Sequence, residues 1–546
     1  MFEVGRDIIK NSGAQRGGGA GSVSRARLRI VYYAFIIVFV VFIGRTLQLG
    51  IHGTDRARRG AGDSEWAAGR ADIVDRHGDI LAKNIMSGNI VLRPREVPPR
   101  DRDRAAQTIH DVIPDIGVQQ ALEDLDSRES YIRLVKFADE AQRAAIKNAG
   151  IRGLFVEETF ETETRRYPKG RLTAHAVGFV GLDKHGLDGI ELVRDAYLTQ
   201  NKDPLVLSID SRVQSAMYQE LSIAVNKYSA KGAVGLLMNS KTGEMIAMVS
   251  LPDYDPENIS FDPPENRKAK YLRDVYEMGS IFKIFNTSMA IENGIPLSKE
   301  YYIAKPFHIF DRVITDVDSF RPPRPWLSVP EIMLYSCNVG SAQIALDLPD
   351  GAQKEFFERL RFDQKLDLDF GTTERPMMPA KWGPVERSTV AFGHGIAVTP
   401  MHLLLAVNAI TNGGVYIQPT IFRRDPGAVR GTRVVSPEIS DIIRKIMYKI
   451  TTDTTARKAQ VAGIHIGGKT GTAEKWVNGR KDPGKNLTVF VGSFPIESPQ
   501  YTILVILDEP KGISESFGLR TAAWNAVPAA GAVLEAVLPL LFQDEQ

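Results

Sequence analysis

The sequence predicts an α+β fold whose main domain is an antiparallel sheet with helices packed on it. From residue 205 onward, strand-like apolar runs come first, helical patterns follow, and two more strand-like runs precede a final apolar helix. Strands and helices that are grouped in this way are typical of α+β domains. The polar residues 239–243 separate the apolar runs 233–238 and 244–250, which indicates a β-hairpin and therefore antiparallel pairing.

The elements of this domain follow one another in a simple order. A predicted strand over residues 205–210 leads into a helix over 212–228, and the hairpin comes next. Helices are predicted at 280–292 and 400–411, and the later runs 487–493 and 501–507 alternate like sheet strands. The last apolar segment, 532–542, contains Glu535 and Pro539, so we predict a buried terminal helix there.

The N-terminus has the pattern of a membrane anchor. Residues 1–29 are polar, glycine-rich and basic, which predicts a disordered cytoplasmic tail. Residues 30–51 are mostly apolar, and their one charge, Arg45, can extend to the membrane interface. No cleavage pattern follows directly, so we predict an uncleaved transmembrane signal-anchor with the remaining chain outside the cytoplasm.

Residues 52–204 predict an extended α+β module with a limited core. They are rich in Arg, Asp and Gly and contain few long apolar runs. A short strand is predicted at 89–92 and a helix at 140–148. The composition shifts at residue 205, so the main domain is expected to span 205–546.

Composition excludes several classes of protein. The 546 residues are 43% hydrophobic and 25% charged, as in ordinary globular proteins, which excludes collagen-like and wholly disordered chains. The net charge of +2 gives no reason to expect nucleic acid as a partner. The single cysteine, Cys337, excludes an intramolecular disulfide and a cysteine-based zinc cluster, and the nine histidines show no metal-binding spacing. We therefore predict neither a metal nor another cofactor.

One Ser-x-x-Lys motif occurs in the chain, at Ser280 and Lys283. Residues three apart share a helix face, so the amine of Lys283 is expected beside the Ser280 hydroxyl. A neutral amine there can accept the hydroxyl proton and make Ser280 a nucleophile. Taken alone, this motif is also compatible with a capping serine and a solvated lysine.

Two further triplets strengthen the prediction through their order. Ser-x-Asn occurs at Ser87 and Ser336, and Lys-Thr-Gly occurs at Lys241 and Lys469. Serine acyl transferases carry Ser-x-x-Lys, Ser-x-Asn and Lys-Thr-Gly in a fixed order along the chain. Only one set satisfies that order, and it comprises Ser280, Lys283, Ser336, Asn338 and Lys469, followed by Thr470, Gly471 and Thr472. The other two triplets are explained as a loop and as the hairpin turn.

The third triplet also has a mechanical explanation. Residues 467–472 are predicted to form an edge strand whose glycines allow another backbone to approach. Lys469 would supply a fixed positive charge, and the Thr470 hydroxyl would hold a terminal carboxylate. The backbone N–H groups of Thr472 and Ser280 would form an oxyanion hole.

These motifs resemble the active site of the penicillin-binding transpeptidases, and residues 469–475 resemble the monofunctional class B members. Segments outside the site are similar to the same family, at 70–82, 166–170, 186–191, 392–395 and 508–510. The resemblance covers residues 28–540 and implies a penicillin-binding transpeptidase fold with helices on both sides of the sheet. It also implies that residues 52–204 form an elongated, dimerisation-like pedestal. The chain departs from the common pattern at Met278 and Asn239, where a proline and an aspartate are frequent.

The resemblance implies an enzyme, a serine-type D-Ala–D-Ala transpeptidase that β-lactams acylate. Ser280 would be the nucleophile and Lys283 the base, whose pKa would be lowered by burial and by the charge of Lys469. Ser336 would relay protons, and Asn338 would orient Lys283 or the substrate. Lys469, Thr470, Gly471 and Thr472 would bind the substrate carboxylate and oxyanion.

The segment Ser336–Gly340 resembles the cell-division, FtsI-type branch, because the elongation branch usually carries Asp where this chain has Asn338. The expected partners are peptidoglycan stem peptides, β-lactams, a SEDS-type, FtsW-like glycosyltransferase, other divisome proteins and the bacterial inner membrane. The alternatives are an elongation-specific transpeptidase and a non-catalytic divisome scaffold or penicillin sensor. Localisation of the tagged protein at the septum or along the lateral wall distinguishes a division role from an elongation role. Normal cell growth with Ser280→Ala would indicate a non-catalytic scaffold.

Overall fold

The computed structural model describes Tyr33 and residues 70–543, except residues 87, 159–162, 318–321 and 478. Residues 1–68 form one unit and residues 69–546 another. In the first unit only Tyr33 is described, and it is helical and exposed. The predicted tail at 1–29 and, apart from Tyr33, the predicted span at 30–51 lie outside the described residues. Within the described ranges, no helix is both long enough and apolar enough to cross a membrane.

Residues 70–204, the described part of the predicted pedestal, are built on two small sheets. One sheet has the strand order β6-β2-β1-β7 and the other has the order β4-β3-β5. Its strands, together with β7 at the start of the next domain, are β1 Ile73–Val74, β2 Ile80–Met86, β3 Gly88–Leu92, β4 Ile132–Ala138, β5 Leu154–Glu157, β6 Glu163–Arg166 and β7 Leu205–Val206. Its helices are α1 Arg102–Val112, α2 Val118–Asp126, α3 Glu140–Ala149, α4 Ala174–Val177, α5 Gly189–Val193 and α6 Asp195–Gln200.

A buried ion cluster joins distant parts of the pedestal. The carboxylate of Glu191, which is 0% exposed, accepts hydrogen bonds from Nε of Arg70 and from Nε of Arg165, the latter at 2.7 Å. Arg70 also donates to Asp195 at 2.6 Å. Buried charges are stable only when they are paired, and here two guanidinium groups share one carboxylate. The cluster therefore links the start of the pedestal to β6, α5 and α6.

Hydrogen bonds from buried groups fix the pedestal to the domain that follows. The buried carboxylate of Asp75 accepts from the backbone N–H of Asp79 at 2.9 Å and of Ser211 at 3.0 Å. Ser211 is the first residue of helix α7 (Ser211–Lys227), so the carboxylate lies at a helix N-terminus, where negative charge is stabilising. The hydroxyl of Tyr271 donates to the carbonyl of His175 at 3.0 Å across the same junction.

Residues 205–543, the described part of the predicted main, C-terminal domain, contain a five-stranded antiparallel sheet in the order β18-β19-β20-β8-β9. Apart from β7, which belongs to the four-stranded sheet, the remaining strands of the domain pair in twos, and β18 forms one edge of the large sheet. The strands are β8 Gly232–Asn239, β9 Met245–Leu251, β10 Glu300–Tyr302, β11 Phe307–Ile309, β12 Arg312–Ile314, β13 Trp326–Ser328, β14 Asp367–Leu368, β15 Gly371–Thr372, β16 Val415–Ile417, β17 Gly431–Arg433, β18 Gly467–Val477, β19 Arg480–Phe494 and β20 Tyr501–Asp508.

Helices cover both faces of this sheet. Besides α7, they are α8 Lys270–Arg273, α9 Lys283–Glu292, α10 Val329–Leu334, α11 Asn338–Asp347, α12 Ala352–Arg359, α13 Pro384–Val390, α14 Pro400–Thr411, α15 Pro437–Asp453 and α16 Ala526–Phe542. Alternate residues of β20 enter different cores: Ile503 and Val505 pack with α7 and α16, whereas Leu504 and Ile506 pack with α9, α14 and α15. This alternation follows from the two-residue period of a strand, and the predicted α+β fold is confirmed.

The structure departs from two of the predicted elements. The strand predicted over 205–210 is only the two-residue β7: Leu207 pairs with Phe422 in an isolated bridge, and Asp210 caps helix α7 by accepting from the backbone N–H of Arg212 at 3.0 Å. The helix predicted over 280–292 begins as α-helix only at Lys283, and Ser280 lies in a preceding 3-10 turn over Gly279–Phe282. The 3-10 turn holds Ser280 where the chain passes the edge strand β18.

Replacement of Glu191 is expected to destabilise the pedestal strongly. Glu191→Ala leaves the buried guanidinium groups of Arg70 and Arg165 without their shared carboxylate, at a cost of about 3–5 kcal/mol. Urea unfolding of the full-length protein in detergent measures this cost. The matched control is Glu158→Ala, which removes a partly exposed partner of Lys147 and is expected to cost no more than about 1 kcal/mol. Equal costs for the two variants would contradict the prediction.

Candidate active site

The predicted nucleophile, Ser280, lies in the 3-10 turn that precedes helix α9. Gly279 adopts a φ of +54°, and a Cβ atom at that position would lie 2.6 Å from the carbonyl oxygen of Thr472. A side chain at Gly279 would therefore push the turn away from strand β18. The Ser280 side chain is half-buried at this meeting point.

The amine of Lys283 is surrounded by oxygen atoms. Its Nζ lies 2.8 Å from Oγ of Ser280, 2.7 Å from the carbonyl oxygen of Ser336, 3.3 Å from Oγ of Ser336 and 2.7 Å from Oδ1 of Asn338. The side chain is 0% exposed. The predicted contact between Lys283 and Ser280 is present, and the second triplet supplies the other neighbours.

Burial lowers the pKa of Lys283 to about 8, while the negative charge of Asp316 acts in the opposite direction. The charged form loses its hydration in the interior, so a neutral amine becomes accessible near physiological pH. Such an amine has a lone pair that can accept a proton from the Ser280 hydroxyl.

Lys469 corrects one of our expectations. We expected it to be a fixed positive charge that lowers the pKa of Lys283, but Lys469 is itself 1% exposed, and burial followed by the charge of Lys283 lowers its pKa well below the ordinary value. Its Nζ lies 3.0 Å from Oγ of Ser336. Both amines contact the same hydroxyl group, and burial is the main cause of the lowered pKa of each.

The hydroxyl of Ser336 lies between the two amines. Ser336 has a φ of +62°, an uncommon conformation for a residue other than glycine, at the turn between α10 and α11. This turn directs its carbonyl group toward Lys283 and its hydroxyl toward both Lys283 and Lys469. The geometry suits a hydroxyl that passes a proton between the two amines.

Asn338 is held by a residue that the motifs did not indicate. Its Nδ2 donates to the carbonyl of Thr315 at 3.1 Å, and its backbone N–H donates to the carboxylate of Asp316. The Cys337 thiol donates to the same carboxylate at 3.2 Å. Asp316 follows strand β12 and belongs to no motif, so no pattern in the sequence indicated that it would contact the site.

Strand β18 carries Lys469, Thr470, Gly471 and Thr472 along the edge of the sheet. A Cβ atom at Gly471 would lie 2.3 Å from the carbonyl oxygen of Met278, so glycine is needed where β18 passes the turn of Ser280. Thr470 and Thr472 are half-buried, and the hydroxyl of Thr472 accepts from the backbone N–H of Ala522 at 3.0 Å. The carboxylate and oxyanion contacts of this strand stay predictions.

The structure thus brings five predicted residues into one hydrogen-bonded group and places the other three on the adjoining strand. The first set is Ser280, Lys283, Ser336, Asn338 and Lys469, and the second is Thr470, Gly471 and Thr472. A serine beside a buried amine, next to a backbone edge that can hold an extended substrate, defines the class of active-site serine enzymes that form acyl intermediates.

Comparison with known proteins agrees with this class. The Penicillin binding protein transpeptidase domain family matches residues 233–528, and the Penicillin-binding Protein dimerisation domain family matches residues 65–203. The chain therefore belongs to the penicillin-binding protein transpeptidase family, as a class B member. The sequence-based prediction of an FtsI-type member of this class is confirmed.

Relatives match over nearly the whole chain. The "Probable peptidoglycan D,D-transpeptidase FtsI" of Caulobacter vibrioides is 33% identical, over 92% of this chain and 86% of its own length. The "Peptidoglycan D,D-transpeptidase FtsI" of Escherichia coli strain K12 is 26% identical, over 94% of this chain and 91% of its own length. The crystal structure of Penicillin Binding Protein 2X from Streptococcus thermophilus shares the fold, with a TM-score of 0.72 and 21% identity, over 87% of this chain and 80% of that one.

Gly471→Ala is expected to damage the site while leaving the fold intact. The added methyl group would meet the carbonyl oxygen of Met278 and the side chain of Ile281, which separates β18 from the turn of Ser280. We expect covalent labelling by a fluorescent penicillin to slow at least about tenfold, because a displacement of about 1 Å in a site can cost about 100-fold in rate.

Gly117→Ala is the control for this substitution. Gly117 has an ordinary φ of −66°, and a Cβ atom there would meet nothing within 4 Å. Both variants are compared with the wild type by rate of labelling and by thermal unfolding. Labelling of Gly471→Ala at the wild-type rate would show that the close approach is unnecessary.

Proposed function

We propose that this protein is a septal peptidoglycan D,D-transpeptidase that cross-links stem peptides through an acyl-serine intermediate. The observation that carries the proposal is the 2.8 Å distance between Nζ of Lys283 and Oγ of Ser280, in a pocket where Lys283 is fully buried. An amine in that position can activate the hydroxyl without a histidine.

Acylation follows from this arrangement. Ser280 Oγ attacks the carbonyl carbon of the terminal D-Ala–D-Ala amide, and its proton passes to the neutral amine of Lys283. The bond between the carbonyl carbon and the amide nitrogen then breaks, and the departing D-alanine takes up the proton that Lys283 accepted. The hydroxyl of Ser336, 3.3 Å from Lys283 and 3.0 Å from Lys469, can carry that proton between the amines.

Transfer of the acyl group to a stem peptide on a second peptidoglycan strand reverses these steps. The amino group of a neighbouring stem peptide attacks the acyl-serine ester and loses its proton to Lys283. The bond between the carbonyl carbon and Ser280 Oγ breaks, and the serine oxygen recovers its proton from Lys283. Atoms and charges balance over the two half-reactions without a cofactor.

Strand β18 is the proposed binding edge for the substrate. Thr470 and Lys469 would hold the terminal carboxylate, and the backbone N–H groups of Ser280 and Thr472 would stabilise the oxyanion. Gly471 supports this role because it keeps the strand close to Ser280. A β-lactam would occupy the same edge and acylate Ser280 as a mimic of the terminal dipeptide.

The proposed setting is the division septum. The similarity to two proteins named FtsI supports a septal role, and the apolar segment at 30–51 supports a single-pass anchor in the inner membrane. In this arrangement residues 1–29 are cytoplasmic, and the pedestal and C-terminal domain lie outside the cytoplasm. A SEDS-type, FtsW-like glycosyltransferase would supply the glycan strands, and other divisome proteins would be neighbours in the membrane.

Ser280→Ala tests the proposed chemistry. We expect the full-length variant to fold but to show no covalent labelling by a fluorescent penicillin, because the nucleophilic oxygen is missing. The matched control is Ser222→Ala, which removes a hydroxyl that donates to the backbone carbonyl of Tyr218 in its own helix and should label like the wild type. Covalent labelling of Ser280→Ala would refute the proposal, and a uniform distribution of the tagged protein over the lateral wall would refute the septal role.

The rate of acylation is expected to rise with pH. Since the neutral form of Lys283 is the base and its pKa is about 8, the rate should increase about tenfold per pH unit below that value and level off above it. Stopped-flow acylation by a penicillin over about pH 6 to about pH 10 measures this rising part of the pH profile. Lys283→Ala should not show the rise of the acylation rate with pH. A pH-independent acylation rate in the wild type would contradict the assignment of Lys283 as the base.

A further inference from the structure

Asp316 contacts the Ser-x-Asn triplet at two successive residues. Its Oδ1 accepts from the backbone N–H of Asn338, and its Oδ2 accepts from the thiol of Cys337 at 3.2 Å. Asp316 lies on the chain just after strand β12, so a separate hairpin supplies this carboxylate. Both carboxylate oxygens are therefore committed to the turn that carries Ser336 and Asn338.

The same stretch of chain fixes the side chain of Asn338. Its Nδ2 donates to the carbonyl of Thr315 at 3.1 Å, which leaves Oδ1 pointing to Nζ of Lys283 at 2.7 Å. An amide group has one accepting and one donating end, so the contact with Thr315 determines which end meets the amine. Residues 315 and 316 thus hold Asn338 at both its backbone and its side chain.

The turn that Asp316 holds is a strained one. Ser336 has a φ of +62°, a conformation that persists in residues other than glycine only when the surroundings enforce it. The next two residues are anchored by Asp316, and the thiol of Cys337 also accepts from the backbone N–H of Gly340 at 3.2 Å. Loss of the carboxylate would release the turn and move both Ser336 oxygens away from Lys283.

Asp316 also contributes charge to the pocket. The titratable groups that act on Lys283 or on which it acts are Asp316, Cys337, Lys469 and His394. Burial raises the pKa of Cys337 to about 12 and lowers that of His394 to about 4, so both are uncharged near neutral pH. The negative charge of Asp316 opposes the effect of burial on Lys283, whereas the charges of Lys283 and Lys469 repel each other.

We propose that Asp316 is a positioning residue for acyl transfer: its carboxylate fixes the turn at Ser336–Asn338 and thereby holds the amine of Lys283 against Ser280. The proposal rests on the proposed function, because it assigns to Asp316 an effect on the same reaction. It differs from a simple helix-capping role, in which the carboxylate stabilises the N-terminus of α11 and changes only the stability of the protein.

Two substitutions separate the geometry from the charge. Asp316→Asn keeps the size of the side chain but removes its charge and one acceptor. Asp316→Glu keeps the charge but displaces the carboxylate by one methylene group. The control is Asp311→Asn, in the turn of the same hairpin, where the side chain is 83% exposed and its nearest cation is 3.9 Å away.

Each full-length protein in detergent is acylated by a penicillin over about pH 6 to about pH 10, and its thermal unfolding is recorded. For Asp316→Asn we expect the plateau rate to fall at least about tenfold. Its rising limb should move to lower pH, because loss of the negative charge favours the neutral amine of Lys283. For Asp316→Glu we expect a lower plateau with the limb at the wild-type position, and for Asp311→Asn no change in either.

The outcomes decide between positioning and capping. The proposal is overturned in favour of a structural cap if both Asp316 variants keep the wild-type plateau rate and the wild-type pH dependence of acylation and differ only in a lower melting temperature. Should Asp316→Asn fail to fold, Asp316→Glu decides alone: a lowered plateau supports positioning, and an unchanged plateau overturns it. A wild-type protein that is not acylated at all would instead refute the proposed function, which is a separate result.

Discussion

The burial of the Lys283 amine is the constraint on which the rest of the site depends. A fully buried ammonium group loses its hydration, so oxygen atoms must surround it and accept its hydrogen bonds. The same loss of hydration lowers the pKa of the group. Ser280, Ser336 and Asn338 supply those oxygen atoms from two separate segments of chain. The environment that surrounds the amine in the interior therefore also lowers its pKa, which suits its proposed role as a base.

The second requirement is close approach between backbones. Gly279 faces Thr472, Gly471 faces Met278, and a Cβ atom at Gly393 would lie 2.1 Å from the carbonyl oxygen of Gly279. Three chain segments thus meet where no side chain fits between them. Such close approach requires β18 to lie at the edge of the sheet, because an inner strand would have neighbouring strands on both sides. The edge position also leaves backbone groups for the proposed extended substrate.

The sequence predicted the members of the site better than their physical state. The order of the three motifs singled out Ser280, Ser336 and Lys469, and the structure places them in one hydrogen-bonded group with Lys283. The contact of Asp316 with Asn338 depends on how the β11–β12 hairpin folds, so no sequence pattern predicted it. Likewise, the lowered pKa of Lys469 and the positive φ of Ser336 arise from burial and packing, which only the folded chain defines. The order of strands and helices could be predicted because the spacing of apolar residues within each short segment indicates its secondary structure.

The pedestal belongs to the same packed body as the site. One apolar cluster includes Ile190 of the pedestal, Tyr271 at the junction and Phe282 of the Ser280 turn. Protein interiors are close-packed and have few voids, so a change of volume at one end of such a cluster must be absorbed by its neighbours. The ion cluster around Glu191 stabilises the far end of this core, and Asp75 accepts a hydrogen bond from the first backbone N–H of helix α7. The pedestal is therefore a structural support of the site and not only a spacer before it.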